Sequence, residues 1–318
     1  MLRLVLEQGL LYGVMVLGVF LSFRVLDVPD LTVDGSFPLG GAVAATLIAG
    51  GAPPLPATLA ATAAGAAAGG VTGWLHARLR IPSLLAGILT MTALFSVNLR
   101  VMGRPNVPLL RMPTLVEAVE GLGVQPGWAA VALFSATAVL ALAALYWWLR
   151  TEMGLALRAT GDNETMAVSS GVEVGRARTL GLAAANALVA LSGALAAQYQ
   201  GFADVNMGIG TIVAGLASVI LGEVLVRPRR LAARLAAAMV GSLAYRAAIA
   251  VALQLGLDPG DLKLATALVV TAALAGPGLA RERARRRSAP WGEAAARRLL
   301  RRPLSQGLRL GDRRPPLP

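Results

Sequence analysis

The sequence predicts an all-α protein, a polytopic transmembrane helix bundle of about eight to ten spans with broken or re-entrant helices and possible inverted repeats. Three observations carry that reading. Of its 318 residues 56% are hydrophobic and only 14% are charged, against about 25% charged in a soluble domain. Apolar runs of roughly 18 residues or more, the length that crosses about 30 Å of hydrocarbon, recur along the chain. The short alternating segments of about ten residues that build a membrane β-barrel are absent.

Nine apolar segments are read in order: about 4–25, 36–51, 55–75, 83–101, 128–149, 179–200, 208–226, 231–254 and 262–280. The first is too long for a cleavable signal and lacks a charged leader, so it reads as a span. The second has sixteen residues, marginal for a crossing. If it crosses, the N-terminus lies outside; if it re-enters, the N-terminus lies inside and eight full crossings remain. The third carries Gly65, Gly69 and Gly73 at four-residue spacing, which lets neighbouring helices approach closely. The long stretch Met102–Gly127, rich in Pro and Gly, reads as an ordered cap between the fourth and fifth segments. Residues 1–280 thus form a membrane domain, and 281–318 a tail.

Charge orients the bundle. His76, Arg78 and Arg80 follow the third segment, Arg150, Arg158, Arg176 and Arg178 lie between the fifth and sixth, and Arg227, Arg229, Arg230 and Arg234 lie between the seventh and eighth. These places and the tail share one side if segments three to nine each cross once. By the positive-inside rule that side is the cytoplasm of a cell (inner or plasma) membrane, which puts the C-terminus there too. From Arg281 onward twelve Arg stand against Glu282, Glu293 and Asp312, a net +9. Contact with anionic membrane lipid explains that tail more simply than nucleic acid does. Within it, Trp291–Arg302 suits a short amphipathic helix on the membrane surface, and the last residues read as disordered.

The catalytic inventory is thin. There is no cysteine and one histidine, so thiolate and multi-His metal sites are excluded. No G-x-x-x-x-G-K-[ST] loop, H-E-x-x-H or G-x-S-x-G is present. The chain is read as binding no cofactor or metal, as having no catalytic residues and as not being an enzyme. Ionisable groups inside spans are costly and suggest function. Glu7, close enough to its span's end to reach the interface, Glu223, spaced to pair with Arg227 one turn on, and Arg246, nearest the middle of its span, are such groups. Arg246 needs either an interhelical partner or a solute.

An internal echo adds polar candidates. Asp34-Gly35-Ser36-Phe37-Pro38 opens the second segment, and Asp204-Val205-Asn206-Met207-Gly208 opens the seventh. An acid followed by a short, Gly-rich span at corresponding places in two halves is the mark of broken helices around a transport pathway. The same acids also suit helix N-terminal caps. With Gln198 and Gln200 at the end of the sixth segment, Asp34, Ser36, Asp204, Asn206 and Arg246 are the candidate lining of a solute pathway.

One polar interruption, Glu152–Arg178, separates the fifth and sixth spans. It alternates small, apolar and charged residues as a helix–Gly–helix unit does. Gly161 and Gly171 would permit sharp turns at the ends of a short helix, and Asp162 or Asn163 would cap it. Such a helix suits the groove of a partner protein.

Its run ALRATGDNETMAVSSGV resembles the cytoplasmic coupling loop of ABC-importer permeases of the branched-chain amino acid type. Phe23–Ala45 and Ser192–Glu223 resemble a subgroup of uncharacterised or tryptophan/tyrosine-type permeases. The resemblance covers most of residues 1–280. It implies a permease subunit for a small polar solute such as an amino acid, working as a homodimer or paired permease with a P-loop ATPase subunit that binds the ATP and an extracytoplasmic solute-binding protein. Carried over, Gly161, Asp162, Glu164, Ala167 and Gly171 match the coupling loop, with Asn163 between them; Glu-Thr-Met follows Asn163 where a proline or another residue is common. A stand-alone secondary transporter or channel is the alternative reading.

Overall fold

A computed structural model describes residues 2–125, 127–256 and 271. Apart from residue 271, the ninth predicted segment and the basic tail lie outside the described residues. The chain order is α1 (Leu2–Phe20), continued by a π-helical turn (Leu21–Val25), α2 (Val33–Ala49), α3 (Pro54–Leu79), α4 (Ser83–Met102), β1 (Asn106–Pro108), α5 (Leu115–Glu120), α6 (Ala129–Trp148), α7 (Glu152–Asp162), α8 (Glu164–Ser169), α9 (Val174–Gln200), β2 (Phe202–Asp204), α10 (Thr211–Val226) and α11 (Leu231–Gln254). Among the described residues five helices are long and apolar enough to span a membrane: Leu2–Val25, α4, α6, α9 and α11. α2 and α10 are apolar but shorter. The protein is an all-α membrane helix bundle, as its sequence predicts.

α9 is the spine. Its apolar residues Leu182, Ala185, Val189, Leu195 and Ala196 are buried with the side chains of α1 in one core, and small residues set how closely its neighbours approach. A Cβ on Gly40 of α2 would overlap the carbonyl of Ala190, and one on Gly193 would overlap the carbonyl of Phe37. On α3, Gly65, Gly69 and Gly73 face Asn186, Leu182 and Thr179 in turn. The predicted glycine stripe is therefore a packing seam within the chain, where backbones meet without intervening side chains.

These pairings fix direction. α3 meets α9 in reverse order, so the two are antiparallel. α2 runs parallel to α9, with Asp30 opposite Asn186 and Gly40 opposite Ala190. α1 is antiparallel to α9, since Gly18 meets Ala185 and Glu7 receives the Tyr199 hydroxyl at 2.7 Å. Among the described residues the chain passes between the two ends of the bundle eight times. One end carries Arg24, Arg78, Arg178 and Arg227 and is here the basic end. α1 begins at the opposite, far end, which resolves the open question of the second segment: residues 26–49 make a full pass.

That pass is built from two unlike parts. Residues 26–32 enter from the basic end without helical structure, and α2 completes the journey. Residues 202–226 repeat the plan upside down, with β2 and turns at 205–210 entering from the far end before α10 runs to the basic end. At the far end β1 and β2 pair antiparallel, Asn106 opposite Asp204 and Pro108 opposite Phe202, so the stretch between α4 and α6 is an ordered cap as expected.

Three charged groups are placed differently from the sequence expectation. Glu223 pairs with Arg24 rather than Arg227, because the helix ends at Arg227, whose φ is 48°. Glu7 is buried, held by Arg3 at 2.7 Å as well as by Tyr199. Arg246 lies level with Gln8 and Tyr12, toward the far end rather than mid-span.

Overpacking a tight seam costs roughly 1–3 kcal/mol, whereas Gly→Ala in an open helical position is neutral or stabilising by up to about 1 kcal/mol. Gly193→Ala is therefore expected to lower the thermal midpoint of the detergent-solubilised protein. Gly70→Ala, whose Cβ would meet only the Ala183 Cβ at 4.0 Å, is expected to leave it unchanged or raise it.

Candidate functional site

The two half-built passes meet inside the bundle. α10 begins with backbone N–H groups that no helical carbonyl can satisfy. The carboxylate of Asp34 supplies the acceptors: Gly210 N donates to it at 3.1 Å, Ile212 N at 2.8 Å and the Thr211 hydroxyl at 2.9 Å. The acid also faces the positive end of the helix dipole. Gly208 packs so closely on this junction that a Cβ would strike the Asp34 carbonyl and the Pro38 ring. The two stretches of the internal echo are thus in direct contact, and Asp34 caps the helix of the other half rather than its own.

Behind the junction lies a buried carboxylate that sequence reasoning missed. Asp30 is fully buried. One oxygen accepts from Thr32 N at 2.9 Å and the other from Asn186 Nδ2 at 2.7 Å. Asn186 also donates to the Leu182 carbonyl at 3.0 Å, and the Thr32 and Thr72 hydroxyls lie 2.8 Å apart. This network ties residues 26–32 to α9 and α3. The available signal was the spacing Asp30-Leu31-Thr32 just before a helix, which suits a carboxylate that accepts from the backbone two residues on.

Beside Asp34 a cavity of about 340 Å³ opens between α2, α4 and residues 205–209. Met91, Phe95, Pro38 and Ile209 give it apolar walls; Asn98 and Asn206 bring amides. Asn98 donates to the Gly35 carbonyl at 3.2 Å, and its Oδ1, buried, has no partner. An apolar pocket with a few placed polar groups is the usual form of a small-molecule site.

The remaining pathway candidates scatter around this junction. Asp204 accepts from Asn206 N at 2.8 Å, a local turn at the far end. Ser36 is buried with its hydroxyl unpartnered. Gln198 and Gln200 border a second cavity, about 720 Å³, at the far end with Arg3, Arg111, Glu117 and Glu120. The Gln198 amide is fully engaged there, accepting from Leu115 N at 3.0 Å and donating to Thr58 Oγ1 at 2.8 Å, so it braces the cap onto α9 and α3. Arg246 stacks 3.7 Å over the Tyr12 ring, which itself stacks on Phe37 at 5.6 Å; its Nε has no partner.

At the basic end the predicted polar unit is two helices. α7 is capped by Thr151, which accepts from Gly154 N at 3.4 Å. Asn163, in extended conformation, ends α7 and caps α8 by accepting from Met166 N at 3.0 Å. Asp162 is the last residue of α7 and not the cap. Gly171, at φ 82°, makes the turn into α9. Gly161 does not make a turn: it sits inside α7, and its missing side chain lets α7 lie on the carbonyl of Val25 in the π-helical turn. Leu157 and Ala167 are buried anchors, while Met166 and Val168 are 68% and 58% exposed. Arg178 clamps α8 to α9 through both oxygens of Glu164, at 3.1 and 2.7 Å.

The family described as the permease component of branched-chain amino acid transport systems matches residues 1–275. The chain is 41% identical over 271 residues to a tyrosine transport system permease protein of Clostridioides difficile, covering 85% of this chain and 89% of that one. It is 34% identical over 269 residues to an uncharacterised protein of Rickettsia prowazekii, covering 83% and 93% respectively. No solved structure matches it.

Removing the Asp34 carboxylate strands two backbone donors, at roughly 1–3 kcal/mol for a buried unsatisfied group. Asp34→Ala is expected to destabilise the protein by that amount, and Asp204→Ala by less than about 1 kcal/mol, in thermal or denaturant unfolding of the detergent-solubilised chain. Equal losses would remove the distinction between the two acids.

Proposed function

The chain belongs to the permease components of branched-chain amino acid transport systems, and from that premise we propose that it is the membrane-spanning subunit of an ABC importer for an amino acid. The observation that carries this reading is the α7–α8 unit. It is packed onto the π-helical turn of α1 by Gly161, clamped to α9 by Arg178, and shows two exposed apolar side chains at the basic, cytoplasmic end. A rigid knob of this kind suits the groove of a separate P-loop ATPase, and the sequence holds no phosphate-binding loop of its own. Movement of that knob would reach both α9 and residues 26–32, and through them the junction at Asp34.

In this reading solute is delivered at the far end by an extracytoplasmic solute-binding protein. Two copies of the permease pair, each driven by an ATPase. The pathway passes the junction of the two broken passes, where such sites are found in transporters built from inverted repeats. The adjoining cavity, with its apolar walls and amides, suits an aromatic amino acid, consistent with the tyrosine permease that the chain resembles. A secondary transporter would use the same junction but has no need of the α7–α8 unit.

Affinity capture of the full-length tagged chain from native membranes in mild detergent tests the assignment. Co-purification of an ATPase and a solute-binding protein is the expected result; the chain alone, under conditions that keep known complexes together, points to the secondary transporter. Proline holds φ near −65° and so is incompatible with position 171. Gly171→Pro is expected to abolish transport-coupled ATP hydrolysis while membrane insertion stays at wild-type level. Unchanged coupled hydrolysis would remove the α7–α8 unit from the mechanism.

A further inference from the structure

The basic end contains a feature that the importer reading leaves unused. Two adjoining cavities, about 430 and 220 Å³, share Phe20, Arg24 and Arg234. The first also takes in Arg227, and the second Arg158 and Arg229. Five guanidinium groups therefore converge from four places: the π-helical turn of α1, α7, the α10–α11 connection and the first turn of α11. The acids facing them are Glu223 and Asp162, which leaves a net charge of +3 (five Arg less two acids).

A band of arginine is the ordinary signature of a cytoplasmic membrane face, so charge alone would say little. Pairing and shape make the difference. Elsewhere at this end Arg178 is engaged by Glu164, Arg176 by Glu173 at 3.0 Å, and Arg150 lies over the Tyr146 ring at 5.4 Å; Arg78 and Arg80 are in no ion pair among the described residues, but they line neither cavity. Around the cavities only Arg24 is in an ion pair among the described residues, with Glu223. Arg158, Arg227, Arg229 and Arg234 surround a concavity and repel one another. Arg227 is held there in a left-handed backbone conformation, φ 48°, that a non-glycine residue rarely adopts. Phe20, Val25 and Leu231 supply apolar lining.

We propose that this concavity is a binding site for a phosphate group, in which several planar guanidinium forks take a phosphate oxygen each over an apolar floor. Arginine matches phosphate by paired hydrogen bonds, and basic pockets between helices at the cytoplasmic face take anionic headgroups. The group is either the headgroup of an anionic phospholipid or a free phosphate compound; the shared chemistry is the phosphate. Its place has a consequence. The ligand would bridge Arg158 on α7 to Arg229 in the α10–α11 connection and Arg234 on α11, joining the α7–α8 unit to the bundle. The binding site itself does not depend on the importer reading, and its test uses no transport assay.

The full-length protein, delipidated in a neutral detergent, is titrated by native mass spectrometry with phosphatidylglycerol, with phosphatidylcholine and with inorganic phosphate. Wild type is expected to retain phosphatidylglycerol, inorganic phosphate or both, and to bind phosphatidylcholine much less. Phosphatidylglycerol alone identifies a lipid site, and inorganic phosphate alone a soluble ligand. At the usual contribution of one cation near a charged surface, Arg229→Gln/Arg234→Gln is expected to weaken binding about 30-fold. Arg78→Gln/Arg80→Gln, a pair at the same end outside the cavities, is expected to leave it unchanged. Rising salt should release the ligand from wild type, which tests the site without any substitution. Failure of both anionic probes to bind above zwitterionic phosphatidylcholine, equal loss in both double variants, or binding indifferent to salt overturns the proposal.

Discussion

Backbone that is not helical has to find its hydrogen-bond partners inside the protein when the surroundings hold no water. This chain carries two such stretches within the bundle, residues 26–32 and 205–210, and the arrangement around them follows from that constraint. Asp30 serves the first stretch, accepting from Thr32 and anchoring to Asn186. Asp34 serves the second, closing the bare start of α10 with three bonds. Each acid takes at least one bond from a group far from it in sequence, Asp30 from Asn186 and Asp34 from Gly210 and Ile212, so both stretches are fixed by contacts between the two halves of the chain. The carboxylates that look like isolated polar intrusions in an apolar sequence are what allow the chain to break its helices at all.

The close seam along α9 works with this. Gly40, Gly65, Gly69 and Gly193 bring helix backbones together where a methyl group would collide with a carbonyl oxygen. In lipid no hydrophobic driving force separates bundle from solvent, so close packing and interhelical hydrogen bonds have to hold the helices. The bonds from Ser192 to the Leu11 carbonyl and from Ser242 to the Gly9 carbonyl, both 2.8 Å, join α1 to α9 and α11 in this way. The resulting spine packs closely on α2 and α3, while α4 is the least buried of the five span-length helices among the described residues.

Much of the architecture was written in hydropathy. Eight of the nine apolar segments are found as helices, because runs of Leu, Ala and Val long enough for a membrane leave few alternatives. The bounds of α2 and α10 shifted by a few residues, since their starts are set by Asp30, Thr32 and Asp34 and not by where apolarity begins. The pairing of the two echo stretches was legible as a repeat but not as a contact: sequence spacing shows that Asp34 can cap a helix, not which one. Gly161 illustrates the same limit. Glycine serves both turns and close approaches, and only the position of the Val25 carbonyl tells which applies. Asp30 stayed hidden because one acid in a Pro-containing connection looks like surface. Glu223 followed Arg24, a residue 199 positions away, in place of the local partner that helical spacing offered.

The strand pair at the far end is small, three residues on each side, yet it decides how the outer surface is coupled to the interior. β1 belongs to the cap between α4 and α6; β2 leads directly into the turns that end at α10. The register Asn106 to Asp204, extended by the bonds from Leu109 N to the Gly201 carbonyl and from Val205 N to the Pro105 carbonyl, makes the two a single strap. The cap is thus hydrogen-bonded to the strand that leads through 205–210 to the Asp34 junction. One continuous run of hydrogen bonds joins the far-end surface to the junction where the two broken passes meet.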